Sequence, residues 1–218
     1  MELEQIKIYR MTHIENIPHI LKFGITHKES LYSNANFVAI GDLSLIDNRN
    51  AKEVRIDNGE FLNFNAPTVV LGNLIPFYFG LKMPMLYVIQ NGGNFVKQAT
   101  KAEDIVYLAC SLNLIINSKL TYYFCDGHAT DNFTSFFDQT KISELTNIID
   151  WDAVKVPYWG SQENLNLKRK KQAECLILGD VPPNFIIGYG CYNNNAKDKL
   201  IDMGIEEIRI KVIENSYF

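Results

Sequence analysis

The residue with the clearest chemical potential is Glu174. It stands between four consecutive cations, Lys168, Arg169, Lys170 and Lys171, and an apolar run, Cys175-Leu176-Ile177-Leu178, that ends at Gly179-Asp180. A short apolar run closed by a Gly-Asp turn reads as a buried strand. The pattern therefore places one carboxylate at the mouth of a strand, beside a cluster of positive charge. The plain alternative is a solvated basic turn feeding a core strand, because charge runs usually face water; Glu174 is then one more surface acid. Three other side chains have suitable chemistry. His13 lies between a strand end and a helix start, where capping or packing is the ordinary role. Arg49 closes a short predicted helix, and His128 sits in the turn Asp126-Gly127-His128-Ala129. A Cys–His hydrolase using His13 or His128 is formally possible, with no local motif behind it.

Many chemistries find no support. There is no Gly-x-Gly-x-x-Gly, P-loop, Gly-x-Ser-x-Gly elbow or His-Glu-x-x-His. The acids are scattered, so a two-metal nuclease is not indicated. Cys110, Cys125, Cys175 and Cys191 form no Cys-x-x-Cys pair and have no histidine at ligand spacing, so neither a metal nor a disulfide framework is expected. The opening Met-Glu-Leu-Glu-Gln lacks an apolar signal segment, and no run approaches the about 18 apolar residues of a membrane span. The expectation is a reduced, cytoplasmic protein with no membrane contact. Hydrophobic residues make up 47% and charged residues 21%, which supports a packed core rather than disorder. The net charge of −4 argues against extensive contact with duplex DNA, but a local basic patch can still hold a short nucleic-acid segment. The 13 Phe, 11 Tyr and 2 Trp supply either core or stacking faces for flat ligands.

The elements that must position these residues are short. Alternation over 6–11 predicts a first strand. Asn16 as N-cap, Pro18 in the first turn, the apolar face Ile17, Ile20, Leu21 and Phe23, and Gly24 as stop predict a helix. Residues 25–60 carry many turn formers and read as a long functional loop, with a short helix over 43–49. A strand is predicted over 84–89, closed by Asn91-Gly92-Gly93. Thr100-Lys101-Ala102-Glu103 has capping-box spacing and predicts a helix over 101–117. A strand over 120–125, a short helix capped by Asp131 bearing Phe133, Phe136 and Phe137, a helical piece over 143–149 and a structured loop over 150–160 follow. Strands over 186–191 and 208–212, flanking a helix over 198–203 stopped by Gly204, complete the chain. No repeat or linker interrupts it. One α+β domain over 1–218 fits, and a doubly wound sheet does not.

Four segments carry a resemblance. Residues 8–21, with Gly24-Ile25, resemble the opening of the DarT family of bacterial toxins that ADP-ribosylate DNA. Ile40-Gly41-Asp42 with Leu45-Ile46-Asp47-Asn48-Arg49 is similar to that family's NAD-binding loop. Ile75-Pro76-Phe77-Tyr78-Phe79 with Pro84-Met85-Leu86-Tyr87 resembles its Pro-x-Tyr-Phe … Pro-Met-Leu segment. Lys171-Gln172-Ala173-Glu174-Cys175-Leu176-Ile177 with Val181-Pro182 resembles its final Arg-x-Ala-Glu-Phe-Leu-Val … Val-Pro signature. The four occur in order across most of the chain. Cys175 stands where an aromatic is common and Lys171 where arginine is common.

The resemblance implies an ADP-ribosyltransferase-like fold: two packed β-sheets forming an NAD cleft, with peripheral helices. It implies transfer of ADP-ribose from NAD⁺ to a base of single-stranded DNA, thymine first and guanine as the alternative; RNA or protein acceptors are further alternatives. It also implies a macrodomain antitoxin as partner; a monomer is expected. Glu174 would bind the nicotinamide ribose, stabilise the oxocarbenium-like centre and help remove the base proton. Arg49, catalytic and cofactor-binding, would supply charge against the pyrophosphate or polarise the acceptor base. Thr12 and His13 would contact NAD⁺, Gly41 would let the loop backbone approach it, and Tyr78 would wall the nicotinamide pocket. His128, Trp159, Lys168, Arg169, Lys170 and Lys171 would meet the DNA, through stacking and phosphate contacts.

Overall fold

The computed structural model of the chain describes residues 2–41, 43–59, 66–92, 96, 98–160 and 166–218, and the backbone alone of Leu43 and Leu45. Asp42, Gly93 and residue 60, which enter expectations above, lie outside the described residues. The strands are β1 Lys7–His13, β2 Glu53–Asp57, β3 Thr68–Val70, β4 Leu74–Tyr78, β5 Ile105–Ser111, β6 Thr121–Cys125, β7 Phe136–Asp138, β8 Glu174–Leu178, β9 Ile186–Cys191 and β10 Ile210–Val212. The helices are α1 Ile17–Phe23, α2 Leu43–Ala51, α3 Pro84–Asn91, α4 Leu112–Ile116, α5 Leu145–Ile148, α6 Trp151–Lys155, α7 Leu167–Lys171 and α8 Asn194–Asp202.

The strands form one mixed ladder in the order β10-β9-β5-β1-β4-β8-β6-β7-β2-β3. Its join at the middle is narrow. β1 pairs with β5 along its whole length, from Lys7–Ser111 to His13–Ile105, but meets β4 at one registered pair, Tyr9 with Tyr78. Side chains from both halves share one core: Ile8 of β1 and Val106, Leu108 and Cys110 of β5 pack with Ile75 and Phe77 of β4 and Cys175 and Ile177 of β8. The pair of packed sheets expected from the sequence is thus two halves of one hydrogen-bonded ladder around a common core.

Three local expectations change. The predicted helix over 101–117 is β5 followed by the short α4. Ile105 and Tyr107 pack into one cluster while Val106, Leu108 and Cys110 pack into another, so the run alternates with a period of two and is buried on both faces. A run apolar on every side does not distinguish strand from helix by periodicity. The capping-box Glu103 instead accepts from Asn193 and Asn195. The predicted strand over 84–89 is α3. Pro84 takes its first turn, where the missing N–H costs nothing, and Leu86 and Ile89, three apart, are its buried residues with Pro84. The predicted helix after Asp131 is a turn leading to β7, which pairs with both β6 and β2. Asp131 Oδ1 accepts from the N–H of Phe133, an Asx turn, and Phe133 is left exposed.

Asn16 fixes the entrance to the long loop. It is fully buried and stands at the N-cap position of α1, as expected, yet its side chain makes no capping hydrogen bond. Its amide donates to Thr12 Oγ1 (3.0 Å) and to the Val38 carbonyl (2.8 Å), and its Oδ1 accepts from the Val38 N–H (2.9 Å). A buried amide with donors and acceptor satisfied rigidifies what it joins. Here it joins the end of β1 to the segment leading into Gly41 and α2.

Candidate active site

Glu174 opens β8 in the middle of the ladder, in register with Tyr78 of β4 on one side and Cys125 of β6 on the other. Its side chain has no solvent exposure. Such a carboxylate needs partners, and it has them. Arg49 Nη1, from the last turn of α2, donates to both its oxygens at 3.0 and 3.3 Å, and the Ala129 N–H donates to Oε1 at 3.0 Å. So the sheet, the long-loop helix and the turn after β6 converge on one carboxylate.

The turn that supplies the Ala129 N–H is held by Arg169. Its guanidinium pairs with both oxygens of Asp126 (2.8 and 3.2 Å) and reaches Thr134 Oγ1 (3.3 Å), its Nε donates to Asn166 Oδ1 (2.6 Å), and its carbonyl accepts from the His128 N–H (2.9 Å). A Cβ on Gly127 would lie 2.5 Å from Arg169 Nη1, so glycine is needed for this approach. Two residues of the basic run thus turn inward rather than outward. Arg169 is buried against Asp126, and Lys171, 1% exposed, donates its Nζ to the carbonyls of Val154 (3.1 Å) and Val156 (2.6 Å). Lys170 pairs with Asp150 at 2.9 Å, while Lys168 is exposed. The DNA-contact expectation is corrected for Arg169 and Lys171. Arg169 and Lys171 are engaged with the protein itself, because a cation brought into a partly apolar interior must find acceptors there.

Burial and the nearby Lys82 pull the Lys171 ammonium down to about 8 from the ordinary 10.5. The folded chain therefore holds this proton more weakly than the unfolded chain, and the group's contribution to stability rises with pH between about 8 and 10.5. Urea unfolding of the wild type and of Lys171→Met across that range is expected to show the wild type gaining relative to the variant. Parallel pH profiles would show that the ammonium is not desolvated.

A cleft lies against Arg49, the guanidinium that holds Glu174, while Glu174 itself does not line it. Its larger lobe, about 510 Å³, is lined by Arg10, Thr12, Asn16, His19, His27 and Arg49 among others. The smaller lobe, about 170 Å³, shares Arg10, Thr12 and Arg49 and adds Gly41, Tyr78, His128 and Thr130. Arg10 is the residue the sequence reading missed. It sits on β1 beside Tyr9, donates Nη1 to the Pro76 carbonyl at 2.9 Å, and lines both lobes. Burial, with Arg49 close by, lowers its guanidinium to about 10. Alternation placed Ile8 inward, and an arginine between apolar neighbours gave no sign of facing a cavity. One carboxylate therefore stands among two buried guanidiniums, and Arg49 Nη2 is buried without a partner among the described residues. The cleft is built for an anionic ligand.

The other expected residues fall as follows. Thr12 faces the cleft, its Oγ1 accepting from Asn16. His13 lines neither lobe, and its Nδ1 accepts from the Glu15 N–H at 3.2 Å. Burial and Glu174 push the Tyr78 hydroxyl up. Burial pulls the His128 imidazole down; its Nδ1 lies 2.8 Å from Thr130 Oγ1. Trp159 is half-buried, edge-to-face with Phe218, with Lys171 Nζ 5.8 Å from its ring centre. All four cysteines are buried and burial raises each thiol, which is the opposite of an activated nucleophile. Among the described residues no three His, Cys, Asp or Glu side chains converge on a metal site, and no helix is long and apolar enough to cross a membrane.

The chain is similar to several known proteins. The family model described as ssDNA thymidine ADP-ribosyltransferase, DarT, matches residues 9–218. A DNA ADP-ribosyl transferase of Thermus sp. (strain 2.9) is 28% identical over 200 residues, 91% of this chain and 87% of that protein. The structure of Thermus sp. 2.9 DarT in complex with ADP-ribosylated ssDNA aligns with a TM-score of 0.81 at 26% identity, covering 99% of this chain and 97% of that one. The same protein in complex with NAD⁺ aligns at 0.75 and 23% identity over 99% and 98%, a likeness of fold. A DNA ADP-ribosyl transferase–DNA ADP-ribosyl glycohydrolase fusion protein of Thermosipho africanus is 29% identical over 182 residues, 83% of this chain and 41% of that protein. The chain belongs to the DarT family of NAD-dependent DNA ADP-ribosyltransferases.

Proposed function

We propose that this chain transfers ADP-ribose from NAD⁺ to thymine in single-stranded DNA, releases nicotinamide, and acts as the toxin of a toxin–antitoxin pair. The observation that carries the reading is the solvent-free Glu174, held by the Ala129 N–H and by Arg49, the guanidinium that with Arg10 lines a cleft carrying a surplus of positive charge. The family description names the single-stranded acceptor and the base. The Thermosipho fusion supports a partner that removes the modification.

The residues divide the work. Arg10, the unpaired Nη2 of Arg49 and the larger lobe suit the pyrophosphate and adenosine side of NAD⁺. Tyr78, Gly41, Thr12 and the smaller lobe suit the nicotinamide ribose. Positive charge that develops at the ribose carbon as nicotinamide leaves is stabilised by the Glu174 carboxylate, which then takes the proton released when the base nitrogen attacks. His128, kept neutral by burial and lining the same lobe, faces the acceptor side. Lys168 is the exposed cation of the basic run and remains the candidate phosphate contact there, with Trp159 as a stacking face.

Incubating the protein with NAD⁺ and a panel of short single-stranded oligonucleotides, with matched RNA and a protein mixture, tests this directly by product mass. One ADP-ribose is expected on thymine-containing DNA strands. Addition only to guanine, RNA or protein would overturn the acceptor assignment.

A further inference from the structure

A second cavity, about 580 Å³, lies outside the reaction cleft. It is walled by Tyr9, Phe79 and Trp151, and four lysines line it: Lys7, Lys82, Lys155 and Lys171. No Asp or Glu lines it. None of the four lysines lies within ion-pair distance of a carboxylate among the described residues. Like charges are not gathered in a hollow without cause, and here two features of the backbone hold them there. Lys82 is the one non-glycine residue with positive φ among those described (φ 54°), and its N–H is fastened to Tyr107 Oη at 3.1 Å. Left-handed backbone at a non-glycine residue is disfavoured and marks sites where position matters. Gly80 lets α6 approach: a Cβ there would lie 2.7 Å from Val154 Cγ1 and 3.1 Å from the Val154 carbonyl that Lys171 uses.

The cavity is also in line with the cleft. Along β1, Lys7, Tyr9 and Met11 alternate onto one face; Met11 lines the smaller lobe of the reaction cleft, and Lys7 and Tyr9 line the lysine pocket. At the end of β4, Tyr78 lines the first and Phe79, the residue just past the strand, lines the second. Two strand residues span about 7 Å, a reach that an extended polynucleotide crosses within a nucleotide or two.

We propose that this lysine pocket seats a phosphodiester of the acceptor strand next to the modified base, with Lys7 and Lys155 as its contacts, while Lys82 and Lys171, whose ammonium groups donate to the carbonyls of Asn215 and of Val154 and Val156, add positive charge behind them without touching the strand. This rests on the single-stranded DNA reading above. It makes the pocket, rather than the consecutive basic run, the main electrostatic anchor of the strand. The strand therefore enters across β1 and β4, and the acceptor base alone reaches Glu174.

Lys7 and Lys155 are exposed, so Lys7→Gln/Lys155→Gln leaves the core untouched. Fluorescence anisotropy with a short single-stranded oligonucleotide is measured from low to moderate salt, for wild type, the double variant and a control, Lys119→Gln, at an exposed lysine that does not line the pocket. The double variant is expected to bind on the order of tenfold more weakly, with a log K against log salt slope shallower by about 0.7 for each phosphate that is no longer neutralised. The control is expected to match wild type. An unchanged slope in the double variant overturns the proposal, as does inorganic pyrophosphate binding that is lost in the double variant while the oligonucleotide slope stays unchanged. A wild type that labels no oligonucleotide sinks the functional reading instead, and the two failures are separately visible.

Discussion

A Glu174→Gln protein is expected to bind NAD⁺ within about tenfold of wild type and to modify single-stranded DNA at least about a thousandfold more slowly. The split follows from the geometry. The amide oxygen of glutamine can still accept from the Ala129 N–H, so the strand mouth and the turn keep their places. What disappears is a full negative charge in a site with no solvent exposure, next to a reacting centre that turns positive. Calorimetric titration with NAD⁺ and single-turnover product mass measure the two halves. A variant retaining more than about a tenth of the wild-type rate would be inconsistent with the transition-state role, since losing that charge removes far more than one hydrogen bond.

Arg49→Ala is expected to abolish transfer and also to destabilise the fold by about 3 kcal/mol, because removing one partner of a buried pair leaves the other uncompensated. Arg49 is 15% exposed and Glu174 not at all, so water does little to screen the loss. Combining Arg49→Ala with Glu174→Gln should recover most of the stability, since no buried charge then lacks a partner, while activity stays absent. Urea unfolding of the four proteins forms a double-mutant cycle. If the double variant is no more stable than Arg49→Ala, the cost lies in lost packing of the guanidinium and not in the stranded carboxylate. The cycle also separates a structural role of Arg49 from a catalytic one, which activity alone cannot do.

The local patterns were legible where one physical cause dominated. Ile17, Ile20 and Phe23 with Pro18 and Gly24 defined α1, and Cys175–Leu178 before Gly179 defined β8. They failed where burial is two-sided. Ile105–Cys110 is apolar at every position because one face meets the Tyr217 cluster and the other the main core, and no periodicity survives such a sandwich. Residues 84–89 failed in the opposite way: Pro84 and the Leu86–Ile89 spacing indicated α3, but strand-favouring side chains outweighed them.

The candidate site divides along the same line. Glu174, Arg49, Thr12, Gly41, Tyr78 and His128 were identifiable as residues, most of them through the resemblance; the fold brings the last five to one cleft and ties Glu174 to it through Arg49. Arg10 was not, because an arginine in a strand declares nothing about which cavity it borders. The basic run was overread. Four adjacent cations look like a surface patch in one dimension, whereas α7 sends Arg169 to Asp126, Lys170 to Asp150 and Lys171 to two carbonyls.

By itself the sequence determined the class of the domain, its family and the carboxylate and guanidinium at its centre, since these depend on residue identity and local spacing. Only the tertiary structure decided which charges are paired and which are orphaned. Glu174 gained an N–H from a turn 45 residues away and a guanidinium 125 residues away, Lys171 became a buried brace, and Lys7, Lys82 and Lys155 were gathered around it. Solvation and Coulomb interactions depend on distance in space, and chain separation carries almost no information about that distance.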